Sequence, residues 1–139
     1  MRSIPAADDL AGLVESFEDG TIDNCNFSHP EHIFVIWSLV RSRGTLPAVA
    51  QFESCLKRIT EAEGHPEKYH ATITHALGVL VGERVAIAPD LDWDGFVVAN
   101  PDLFDWPNTT LSSLYPNGEL DTAEARSRFV LPTTSQPAS

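Results

Sequence analysis

A chain of 139 residues, 42% hydrophobic and 21% charged, has the composition of one soluble globular domain that can bury a core without disulfide or metal staples. Twenty acidic residues against nine basic ones give a formal net charge of −11. That charge repels phosphate backbones and anionic headgroups, so the expected partner is a small-molecule ligand, with no nucleic acid and no membrane.

Cys25 and Cys55 have neither CxxC spacing nor a cysteine-rich context, and Cys55 falls in a helical apolar pattern. A free, buried thiol is expected there rather than a disulfide scaffold. Met1-Arg2-Ser3-Ile4-Pro5 lacks the apolar run of a signal peptide, and the apolar stretch Ala76 to Val81 is too short to span a bilayer. The expected location is cytoplasmic.

The elements are nearly all helical. Ala7 to Phe17 places Leu10, Leu13, Val14 and Phe17 on one face, with Gly20 just past its end. A second helix starts at the Ser28-x-x-Glu31 capping box, with Pro30 in the first turn. Ile33, Ile36, Trp37 and Val40 form its apolar stripe, and Arg41, Arg43 and Gly44 close it. Thr45 is expected to cap a third helix whose buried face is Val49, Phe52, Leu56 and Ile59, stopped by Gly64.

The fourth helix, predicted from about Pro66 to Ala86, carries Tyr69, Ile73, Leu77 and Leu80 down one side. Its β-branched residues lower helix propensity, so packing must hold it, and it reads as the central helix. Beyond Pro89 the elements shorten: Asp92 caps a turn or two through Val98, and Pro101 and Pro107 break the chain. Thr110 to Tyr115 is a further short helix, and Asp121 with Glu124 repeats the capping-box spacing before Ala123 to Phe129. The fold class is therefore all-α: one helical domain over 1–131, about four main helices plus short C-terminal ones. A disordered tail is expected over 132–139.

Four of the five histidines lie in two short clusters, Phe27-Ser28-His29-Pro30-Glu31-His32 and Tyr69-His70-Ala71-Thr72-Ile73-Thr74-His75. His29 and His32 are three apart on one helix face, and His32 takes the position where a hydrophobic staple would set an apolar side chain against Phe27. His70 and Thr74 are four apart, so the hydroxyl is expected to orient one imidazole nitrogen, whereas His75 points elsewhere. If the two helix starts pack together, His29, His32 and His70 surround one pocket, with Tyr69, Thr74 and Trp37 as lining. The catalytic expectation is His70 as base, His32 as acid and Tyr69 as orienting donor, with Trp37, Thr74 and His29 contacting substrate. His29, His32 and His70 are also compatible with three ligands for a divalent metal cofactor, with Glu31 as a carboxylate, although the spacing matches no specific metal motif. Glu83, thirteen residues and about 20 Å of helix rise beyond His70, is too distant to share a metal with it.

No carboxylate pair stands out for glycosidase chemistry, and the chain has neither a Gly-rich phosphate loop nor a nucleophile elbow. Glu83-Arg84 reads as a structural ion pair or C-terminal cap. Trp37, Trp93, Phe96, Trp106 and Tyr115 read as core, and Asn100-Pro101-Asp102-Leu103 as a turn without chemistry.

These residues resemble a pattern shared by a group of short helical bacterial proteins of unassigned chemistry. It comprises Phe27, His29, His32 and Trp37; Tyr69, His70, Thr72 and Thr74; Glu83-Arg84; Asn100-Pro101 and Leu103; and Ala125, Arg126 and Phe129. The resemblance runs from Phe27 to Pro132 and implies a helical fold with interest centred on His29, His32 and His70. Ala71 stands where the pattern often has glutamate, and His75 is unusual against it. The expected function is a small enzyme using the histidine cluster for acid/base or metal-assisted chemistry on a small polar metabolite, such as a biosynthetic tailoring step. The alternative is a non-catalytic helical binding module with structural histidines, for which self-association as a homodimer would speak.

Overall fold

The computed structural model describes residues 7–22, 28–105, 110–115 and 118–131, and these form α-helices and short 3₁₀ turns with no strand. The single helix expected at the start is instead a 3₁₀ turn, Ala7–Leu10, followed by α1, Leu13–Asp19. Gly12 separates them because it adopts φ 82°, a left-handed conformation that glycine takes without steric cost.

Helix α2 spans His29–Arg43. The Glu31 carboxylate accepts the Ser28 backbone N–H at 2.9 Å and bonds the Ser28 hydroxyl, so the capping box forms as its spelling requires. Its stripe Ile33, Ile36, Trp37 and Val40 is buried, and so are Val35 and Leu39. Gly44, at φ 88°, returns its N–H to the Val40 carbonyl at 2.8 Å and turns the chain directly into α3, Thr45–Ala62. Gly44 is therefore the N-cap, and Thr45 is already helical.

The fourth helix departs most from its periodicity. Pro66–Lys68 is a 3₁₀ turn, Tyr69 and His70 are extended, and α4 runs only from Ala71 to Ile87. Helices α3 and α4 cross closely because α4 presents glycine there. A Cβ at Gly78 would stand 2.6 Å from Val49, and one at Gly82 would stand 2.3 Å from Thr45. The pairing of higher α4 numbers with lower α3 numbers makes these helices antiparallel. Helix α2 packs on both, and the Gly44 turn reverses it against α3, so α2 and α4 run parallel with Ile36 beside Gly78. Their N-terminal ends, and with them the two histidine clusters, lie at the same end of the bundle.

Helix α5, Trp93–Ala99, starts where Asp92 Oδ1 accepts the Gly95 N–H at 2.8 Å. It joins the bundle through large rings: Trp93 meets Phe34 edge-on at 5.0 Å and stands 5.4 Å from Trp37, while Phe104 closes on Trp93 at 5.6 Å. A 3₁₀ turn, Pro101–Leu103, follows. Helix α6 is Thr110–Leu114, as expected, and α7 is Ala123–Ser127. The α7 cap is Thr122, whose hydroxyl accepts the Ala125 N–H at 3.0 Å, one residue later than the Asp121 spacing suggests. The chain then returns across α4. The fully buried Thr72 hydroxyl donates to Arg128 O at 2.9 Å and accepts Val130 N–H at 3.1 Å, and Tyr115 donates to Val130 O at 2.6 Å.

Cys55 is a buried free thiol, and burial raises its pKa. Among the described residues no helix is long and apolar enough to cross a membrane. Cys25, Phe27, Trp106 and the tail expected to be disordered lie outside the described residues.

Candidate functional site

Because α2 and α4 are parallel, their first turns stand side by side, and a cavity of about 1210 Å³ opens between them. Its described lining includes His29 and His32 from α2, His70 and Thr74 from the start of α4, and Phe52 and Leu56 from α3. The outer wall is the α5 end and the 3₁₀ turn after it, contributing Val97, Val98, Pro101, Asp102, Phe104 and Asp105. The two histidine clusters thus do converge on one cavity.

What each histidine does there follows from its partners. His70 is 8% exposed and serves as the α4 N-cap. Its Nδ1 lies 3.1 Å from the Ile73 N–H and its Nε2 lies 2.6 Å from the Leu120 carbonyl oxygen. An amide N–H can only donate and a carbonyl can only accept, so Nδ1 holds the lone pair and Nε2 holds the hydrogen. Both nitrogens are spent on the backbone. The base role expected of His70 is therefore not supported, since abstracting a proton would require breaking the cap of the central helix. The expected Thr74-to-imidazole bond is absent for the same reason: His70 is extended rather than helical, and its nitrogens meet the Ile73 N–H and Leu120 O.

Tyr69 does not line the cavity. Its hydroxyl donates to Glu53 Oε1 at 2.9 Å, and its ring lies under the Lys57 ammonium, 5.2 Å from the centroid. Burial, reinforced by the Glu53 carboxylate, raises the phenol well above its usual pKa of 10.0. It is not the orienting donor that the sequence suggested. Trp37 is likewise turned into the aromatic core, 7% exposed, with Arg41 stacked 4.7 Å over its ring. It contacts no cavity space.

His29 Nε2 donates to the Leu103 carbonyl oxygen at 2.6 Å, tying the α2 start to the outer wall. Arg84 holds the same wall from α4, with both guanidinium arms on the Asp102 carboxylate at 2.9 and 2.8 Å. It also donates to Asn100 Oδ1 at 2.9 Å. This charge-assisted fork raises the Arg84 pKa, chiefly through the Asp102 hydrogen bond. The Glu83-Arg84 and Asn100-Pro101 stretches are thus the two halves of one clasp. His32 lines the cavity with its ring edge-on to Phe52, centroids 6.2 Å apart. His75 packs on Phe129 at 4.5 Å, away from this site.

No three His, Cys, Asp or Glu side chains among the described residues come together as a metal-ligand set. The triad His29, His32 and His70 shares a cavity but not a ligand geometry, because His70 and the Nε2 of His29 face backbone groups. Glu31 is committed to its capping box and Glu83 is exposed. The outer wall and Lys68 were missed from sequence. The available signal was the Asn-Pro turn, which looked like mere punctuation because its partner, Arg84, is 16 residues away from Asn100.

No protein-family model, no curated protein and no solved structure matches this chain.

Proposed function

We propose that this protein is a small-molecule-binding helical domain whose histidines mainly build and brace the binding cavity. The observation that carries this reading is the convergence of both histidine clusters on one cavity of about 1210 Å³, somewhat above the ~300–1,000 Å³ of typical small-molecule sites. His70 caps the central helix at the cavity wall, and His29 and Arg84 hold the outer wall in place from two different helices. A cavity braced this way is largely pre-formed, which reduces the ordering cost of binding.

The test is a thermal-shift screen with a chemically diverse small-molecule library, each hit titrated against the parent and a Leu56→Trp variant. Leu56 lines the cavity, so the larger ring should intrude on it and weaken saturable binding. Hits bound equally by both proteins, or no hit at all, would overturn the reading.

A further inference from the structure

The polar groups on the cavity wall show which kind of molecule it accepts. His70 has both nitrogens on backbone groups, and His29 Nε2 is on Leu103 O. Both Asp102 oxygens are on Arg84. A site built for a polar metabolite instead presents convergent polar groups that the ligand completes, because a ligand donor or acceptor buried without a partner is costly.

Ser28 is held in its capping box with Glu31, and His32 stands edge-on to Phe52. Much of the remaining wall is hydrocarbon: Phe52, Leu56, Ile73, Leu77, Val97 and Phe104. Charge appears on lining residues that are exposed, Lys68 before α4 and Asp105 after the outer wall. Val98 shares that exposed position, 80% accessible although it lines the cavity.

Resting on the binding reading above, we infer that the ligand is a single-chain amphiphile. Its alkyl or acyl chain lies in the cavity, and its polar head stays at the mouth beside Lys68 and Asp105. The substrate class expected from sequence, a small polar metabolite, suits less well a wall on which both His70 nitrogens, His29 Nε2 and the Asp102 oxygens already hold partners and the larger side chains are apolar.

The experiment titrates the intact protein with 1-hexanol, 1-heptanol, 1-octanol and 1-nonanol by isothermal calorimetry, then with octanoate and octylammonium. Each added methylene buried in the cavity should tighten Kd about fourfold at 1:1 stoichiometry. Either charged head should change Kd by less than about fivefold, because it remains in water beside exposed groups. Val98→Trp, an exposed position that does not support the core, should narrow the mouth and weaken the whole series. A Kd that does not vary with chain length overturns the inference, as does alkanol binding unaffected by both Val98→Trp and Leu56→Trp. If alkanols fail while a polar hit from the library binds the cavity, the amphiphile assignment falls and the binding domain stands. If nothing binds saturably, both fall.

Discussion

Replacing His70 tests whether this histidine is structural. His70→Ala removes the acceptor that caps α4 and the donor that satisfies Leu120 O. Loss of an N-cap costs about 1 kcal/mol. Leaving a partly buried carbonyl without its donor adds about 1 kcal/mol, toward the low end because Leu120 is only half-buried. The space vacated by a ring that is 8% exposed adds a further contribution on the order of 1 kcal/mol. The expected loss is about 2–4 kcal/mol. At roughly 2.1 cal/mol/K per residue, a 139-residue chain loses about 3–4 °C of Tm per kcal/mol, so Tm should fall by roughly 7–14 °C. Urea denaturation with an unchanged m-value is the assay. His70→Asn should recover about 1 kcal/mol, since its short amide can cap the helix but cannot reach Leu120. A His70→Ala protein within about 0.5 kcal/mol of the parent would refute the capping argument, because changes that small are typical of surface positions.

Other expectations follow from particular contacts. Gly82→Ala should destabilise by about 1–3 kcal/mol despite alanine's helix propensity, because its Cβ would strike Thr45; adding Thr45→Ala removes Oγ1 and Cγ2 but leaves the Thr45 Cβ at 2.9 Å, so it should restore only part of the loss in a double-mutant cycle. Tyr69 and Tyr115 both have raised pKa values, chiefly from burial, so the folded state favours their neutral forms. Their contribution is fully present below the unfolded value near pH 10 and declines as pH rises above it. Absorbance at 295 nm should therefore show no free-tyrosine titration at pH 10, and phenolate should appear together with unfolding. Tyr69→Phe should flatten the alkaline limb of the stability curve; an ordinary titration midpoint in the folded protein would contradict the burial argument. Arg84→Met should cost about 1–2 kcal/mol, mainly because Asn100, 6% exposed, loses its partner, with little from the exposed Asp102 charge. Hydrogen exchange over 93–105 should accelerate more than over α2.

Most of the helical layout could be read from the sequence because its end signals are local. Ser28 with Glu31, Gly44 and Asp92 each act within one turn, and each marks a real boundary. The error at α4 has the opposite origin. The apolar spacing of Tyr69 with Ile73 and Leu77 continues through a break that only tertiary contacts specify: Tyr69 is drawn to Glu53 and His70 to Leu120. Histidine is not a common capping residue, so no local signal marked His70 as one. The convergence of the clusters was legible because two helices of similar pattern, linked by an antiparallel third, bring their starts to one end. The roles of the histidines were not legible, because they depend on carbonyls at Leu103 and Leu120, 74 and 50 residues away.

The most direct test of the central claim is a titration of isotopically labelled protein with 1-octanol, followed by backbone and methyl NMR shifts. Saturable shifts confined to the cavity wall, led by Leu56, Ile73, Leu77 and Val97, are the predicted result. Shifts centred instead on the exposed apolar residues Leu46, Val79 and Ile87, or none at all, would contradict it.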